Sequence, residues 1–140
     1  MALPERLLII EKDSGLTLFD HKWVESDVDE DFFGGVLQGL LHISLEAFRK
    51  GAIQEIIFAE GRLLIHHGED ILAGLIVSDQ SDVLRTKLGE FATMFENDYY
   101  ADPESIPNEV SHYSIVSTLI SEYFPEDSPR VNSDNNLLEI

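Results

Sequence analysis

Asp27-x-Asp29-x-Asp31 has the alternating carboxylates with which a calcium loop begins, since acids two residues apart can curl around one hard cation. Such a loop needs Gly at its sixth position for a sharp turn and Glu at its twelfth for bidentate ligation, and here those positions are Phe32 and Gln38. The loop pattern fails, and acids just ahead of a helix already have a reason to be there in the helix dipole. His66 and His67 are adjacent among five histidines. On a strand, neighbouring side chains leave opposite faces, so the two cannot readily grip one ion. His21, His42 and His112 fall on other segments without ligand spacing. Ser78, Ser111, Ser114 and Thr118 lie in no Gly-x-Ser-x-Gly elbow, and no Gly-rich loop ends in Gly-Lys-Ser or Gly-Lys-Thr. Neither hydrolase nor nucleotidase chemistry is signalled. With 27 Asp and Glu, a carboxylate pair for acid–base work could be picked almost anywhere, which makes any choice uninformative. No catalytic residue, metal or cofactor is expected.

The chain that would have to position any site is 140 residues long, enough for one domain with a real core, and its 44% hydrophobic content is that of a folded protein. Zero Cys removes disulfides, thiolate metal sites and a Cys nucleophile, which suits a reducing compartment. A formal charge of −18 repels phosphate backbones and anionic lipid, so neither nucleic acid nor a membrane surface is an expected partner. The apolar run Leu7 to Ile10 is too short for a secretory signal. Phe32 to Leu45 is uncharged but carries Gln38, His42, Ser44 and three Gly, and it is shorter than the roughly 20 apolar residues a spanning helix needs. A soluble, cytoplasmic protein is the expectation.

Leu7 to Ile10 and Leu16 to Phe19 flank Lys12-Asp13-Ser14-Gly15, where Asp and Ser favour a turn and Gly takes a positive φ, so the chain opens with a hairpin. A helix follows the acidic connector Glu25 to Asp31, with Asp29 as cap and with Phe33, Val36, Leu37, Leu40, Leu41, Leu45 and Phe48 as its apolar residues. Arg49, Lys50 and Gly51 supply the opposite charge and a left-handed stop. Ile53 to Ala59, Arg62 to His67 and Ile71 to Val77 read as an antiparallel meander. Their continuous apolar centres, Ile56 to Phe58, Leu63 to Ile65 and Leu75 to Val77, ask for cover on both sheet faces. Two helices should supply part of it, one from Ser81 with Leu84, Leu88, Phe91, Phe95 and Tyr99, the other after Pro107 with Tyr113, Val116, Ile120 and Phe124. Ile9, Leu18, Phe33, Leu37, Ile56, Phe58, Leu64, Leu75, Leu88, Phe91, Val116 and Ile120 form the expected core, and Glu96-Asn97-Asp98 an ordinary solvated face. Residues 1–124 make the domain, and 125–140 a polar tail.

This order, ββαβββαα, with its opening hairpin at Asp13-Ser14-Gly15-Leu16 and its uninterrupted meander strands, resembles the longin-like domains of the longin and roadblock superfamily. The resemblance spans roughly Leu7 to Phe124. It implies an α+β fold with a five-stranded antiparallel sheet, one helix on one face and two on the other. It also implies a noncatalytic protein–protein interaction module that pairs with itself or another longin-like or roadblock-like chain, or that serves a small GTPase or an adaptor or trafficking complex. The surface so implied is the first helix, with Phe32, Val36 and Gly39, together with the strand carrying Ile53, Glu55 and Ile57 at the sheet edge. A small-molecule sensor or an enzyme on a profilin-like or sensor-like sheet is the alternative, for which a roomy pocket with converging polar groups would speak.

Gly34, Gly35 and Gly39 each disfavour helix by about 1 kcal/mol relative to Ala, so they need a packing reason. Close seating of the helix on its own sheet is the simpler reason for Gly35 and Gly39, and close approach of a second chain the sharper one. The charge balance generates a direct expectation: fluorescence anisotropy with duplex DNA and co-sedimentation with anionic vesicles, both at an ionic strength of about 0.15 M, should show no saturable binding.

Overall fold

The structure, a computed structural model, describes residues 2–25, 27, 29–49, 51–100, 116 and 118–124. Strand β1 (Pro4–Glu11) turns back into β2 (Thr17–Lys22). Gly15 closes the turn at φ +75°, its N–H donating to Glu11 O at 2.9 Å, a conformation a side chain rarely adopts. Three more strands, β3 (Glu55–Phe58), β4 (Gly61–His67) and β5 (Ile71–Val77), follow as hairpins. All five make one antiparallel sheet in the order β2-β1-β5-β4-β3.

Strands β1 and β5 are central, and their alternation feeds two cores. Leu7, Ile9, Ala73 and Leu75 pack with Leu88, Phe91 and Phe95 of helix α2 (Asp82–Phe95). Leu8, Ile10 and Leu72 pack with Phe33, Leu37 and Leu41 of helix α1 (Glu30–His42). Continuous apolar strands are thereby explained, because neither face of the centre meets water. Gly74 admits α1 to the sheet: a Cβ there would stand 3.0 Å from Leu37 Cδ1. Helix α2 starts where the sequence places it, with Ser81 Oγ accepting from Leu84 N–H at 3.0 Å. Val116, Ile120 and Phe124 of a third helical segment, residues 118–123 with 116, join the α2 core. Of that helix, expected after Pro107, residues 108–115 with Tyr113, and Ser117, lie outside the described residues, as does the polar tail 125–140.

Several expectations are corrected. Strand β3 is only four residues long, so Ile53 and Ala59 fall outside it. Ile53 packs into the α1 core instead of sharing a face with Ile57. Phe58, expected in the core, is 56% exposed, because the edge strand runs on past the cover that α1 gives the sheet centre. Leu18 and Ile56 are only half-buried, whereas the other expected core residues are buried. Leu45 and Phe48 are also exposed. Beyond His42 the helix widens into a π-helical turn, Ile43–Phe48, whose i→i+5 bonds break the α spacing, and buried Ser44 takes the inward position. Arg49, at φ 55°, rather than a glycine makes the left-handed stop, donating its N–H to Ser44 O.

One charge lies inside the α1 layer. Arg6 on β1, 3% exposed, grips Asp20 of β2 through two hydrogen bonds of 2.9 Å, from Nε to Oδ1 and from Nη2 to Oδ2. Its guanidinium carbon stands 5.3 Å from the ring centroid of Phe33 on α1. Three elements meet at this pair. Removing one partner leaves a buried charge uncompensated, so Arg6→Met should cost about 3–5 kcal/mol in denaturant unfolding, and Arg6→Met with Asp20→Leu should recover most of the loss.

Candidate functional site

Helix α1 carries two apolar stripes. Phe33, Leu37 and Leu41 go down onto the sheet, which uses the first. Phe32, Val36, Gly39 and Ile43, at spacings of four, three and four residues, form a second that faces outward, with Phe32 66% and Val36 40% exposed. At this point the packing reason expected for the glycines is overturned. A Cβ on Gly35 or Gly39 would meet nothing within 4 Å, whereas one on Gly34 would stand 3.1 Å from Ile10 Cγ2 and 3.3 Å from Gly15 O. Gly34 therefore seats the helix on its own sheet, and Gly35 and Gly39 leave bare backbone on the outer face. The π-helical turn extends that face with exposed Leu45 and Phe48.

Strand β3 is a sheet edge, as the resemblance implies, and hydrogen-bonds to β4 alone among the described strands. Register decides which way its residues point. Glu55 and Ile57 oppose Leu64 and Arg62 on the α2 side, while Ile56 and Phe58 oppose Leu63 and Gly61 on the α1 side. The six candidate residues accordingly divide: Phe32, Val36 and Gly39 share the outer face of α1, Ile53 is half-buried beneath the α1 layer, and Glu55 and Ile57 lie across the sheet. Glu55 already has internal partners, accepting from Arg62 of β4 and Arg85 of α2. The Arg62 hydrogen bond, helped by Arg85, holds its carboxyl below the usual carboxylate range. Phe58 and Ile43, which the sequence reading did not select, are exposed beside the selected ones. The signal for Ile43 was available, because a helix with two apolar stripes needs two apolar surroundings.

His66 and His67 do leave opposite sides of β4. His67 Nε2 lies 2.7 Å from Ile53 O; a carbonyl can only accept, so this nitrogen donates and pins the approach to β3. His66 lies in a shallow open groove of about 580 Å3 beside α2, with Arg85, Gly89 and Met94. Burial lowers its pKa, with His67 and Lys12 adding to the effect and Glu96 opposing it. Among the described residues no group of three or more His, Asp or Glu is placed to hold a metal ion, and no helix is long and apolar enough to cross a membrane. His112 lies outside the described residues. Glu96 is more than a solvated acid, since its carboxylate accepts from Glu69 N–H at 3.1 Å and Asp70 N–H at 2.6 Å, capping the β4–β5 turn. Comparison with models of known protein families gives no match, and comparison with curated proteins gives none.

On β2 at the other edge, the His21 ring lies 6.5 Å from Phe19 and meets Trp23 edge-on at 4.7 Å, and Trp23 in turn packs on Phe124. Burial in this aromatic column lowers the His21 pKa from 6.5, against the pull of Asp20. The fold holds the neutral ring. Its stabilising contribution is complete above the unfolded value and lost as pH falls from there toward the lowered folded value. Thermal melts between about pH 7 and pH 5.5 should show His21→Phe losing less of its midpoint on acidification than the wild type.

Proposed function

We propose that the chain is a noncatalytic, longin-like interaction module of the cytoplasm. It pairs with a second chain, either itself or a longin-like or roadblock-like protein, within an adaptor, trafficking or small-GTPase-linked assembly. The observation that carries this reading is the outward stripe of α1, where Phe32, Val36 and Ile43 are exposed beside Gly35 and Gly39. A helix that needed only to cover its sheet would be polar there. Further support comes from the division of helices between two cores and from an edge strand, β3, with Ile57 66% exposed. An unpaired edge is either protected or used, and the one ionised side chain of β3 is already engaged by Arg62 and Arg85. The groove beside α2 is open rather than enclosing, which suits docking against a surface better than holding a small substrate.

The test pairs substitutions with two readouts. Val36→Asp and Ile57→Lys replace exposed side chains, so each should shift stability by no more than about 0.5 kcal/mol. Both should weaken association in light scattering of the pure protein, or in pull-downs with longin-like and roadblock-like chains of the same cell. Association that neither substitution disturbs would remove α1 and β3 as the pairing surface.

A further inference from the structure

The proposed surface leaves the kind of chain that covers it undecided, and charge separates the candidates. On the reading that the outer stripe of α1 is a docking face, we infer that its occupant is a different chain, an apolar ridge rimmed by Lys and Arg, rather than a second copy. Exposed Glu25, Asp27 and Asp29 run along the approach to the N-terminal end of the stripe, and Glu46 is exposed in the π-helical turn at its other end. Among the described residues Arg49 is the exposed cation at that far end, and Lys50 follows it in the sequence. In a twofold pairing of identical helices, Arg49 and Lys50 of one copy would answer the more numerous acids of the connector Glu25 to Asp31 and Glu46 of the other, leaving the rim negative. It would also bring together two bodies of charge −18 each. Four of the nine Lys and Arg are meanwhile turned to internal partners: Arg6 to Asp20, Lys12 to Gly68 O, and Arg62 and Arg85 to Glu55. A basic rim gains from every one of these features. Apolar contact holds the complex, while charge selects the partner and speeds encounter. The bare backbone at Gly35 and Gly39 gives the ridge room to approach closely.

Two synthetic amphipathic helices test this, each about 21 residues long with the same Leu ridge, one flanked by Lys and the other by Glu. Titrations monitored by anisotropy of a labelled peptide or by calorimetry should show saturable binding of the Lys-flanked peptide alone. That binding should weaken by about tenfold between roughly 0.1 and 0.5 M sodium chloride. Val36→Asp is decisive, because it removes apolar surface while adding negative charge, and it should weaken binding by about tenfold or more. A variant that binds the Lys-flanked peptide as tightly as the wild type would show mere charge attraction and overturn the inference. Light scattering supplies the other arm, in which the pure protein should remain a monomer across the same salt range. A homodimer broken by Val36→Asp would overturn the inference and leave the interaction-module reading standing. If pull-downs with longin-like and roadblock-like chains are also undisturbed by Val36→Asp and Ile57→Lys, the module reading falls as well.

Discussion

Everything in this fold follows from two central strands that are dry on both sides. Leu7, Ile9 and Leu75 cannot share a face with Leu8, Ile10 and Leu72, and all six are fully buried, so a layer of helix is required above and below. On one side the layer is aromatic, with Phe91, Phe95 and Phe124 around Phe19. On the other it is aliphatic, with α1 lowered onto the bare Cα of Gly74. Among the described residues the Arg6–Asp20 pair is the one ion pair at such depth, and it fastens the edge strand β2 beneath Phe33.

This constraint also frees the surface proposed for pairing. Because one stripe of α1 suffices to cover the sheet, the apolar residues of its other stripe have no work inside the domain. Glu96 and Gln38 extend the same economy of internal fastening at the loops. The first caps the β4–β5 turn, and the second donates from α1 to Lys12 O and Asp13 O in the β1–β2 turn. Helices and hairpins are thus tied by side chains other than the apolar residues of the outer face of α1.

Much of the architecture could be read from residue order. The hairpin around Gly15, the helix start at Ser81 and the continuous apolar runs of β4 and β5 carry their meaning locally, and all three stand where the pattern puts them. What the pattern missed depended on neighbours in space. Periodicity cannot tell that Phe58 lies past the end of its cover, that a π-helical turn rotates Leu45 and Phe48 outward, or that Gly34 rather than Gly35 or Gly39 touches the sheet. The same blindness applied to Glu96, whose charge looked solvated until the β4–β5 turn came beside it, and to Glu55, assigned to a partner surface but engaged by Arg62 and Arg85. Longin-like pairing remains a reading carried by the α1 surface and by element order.

Strand order bears on how the chain reaches this state. All five strands can find a partner through a short turn, β1 with β2 and β4 with either neighbour, but β1 must also join β5, where Leu7 meets Leu75 about half the chain away. Local hairpins close in microseconds, whereas joining two preformed ribbons across that separation carries a far larger loop-closure entropy. The seam between β1 and β5 is therefore the strand pairing with the largest loop-closure cost in the sheet. A chain with that seam unmade would carry two ribbons with apolar faces and four open edges, so an inner pairing of the native sheet is also the one whose delay would expose the chain to misassembly.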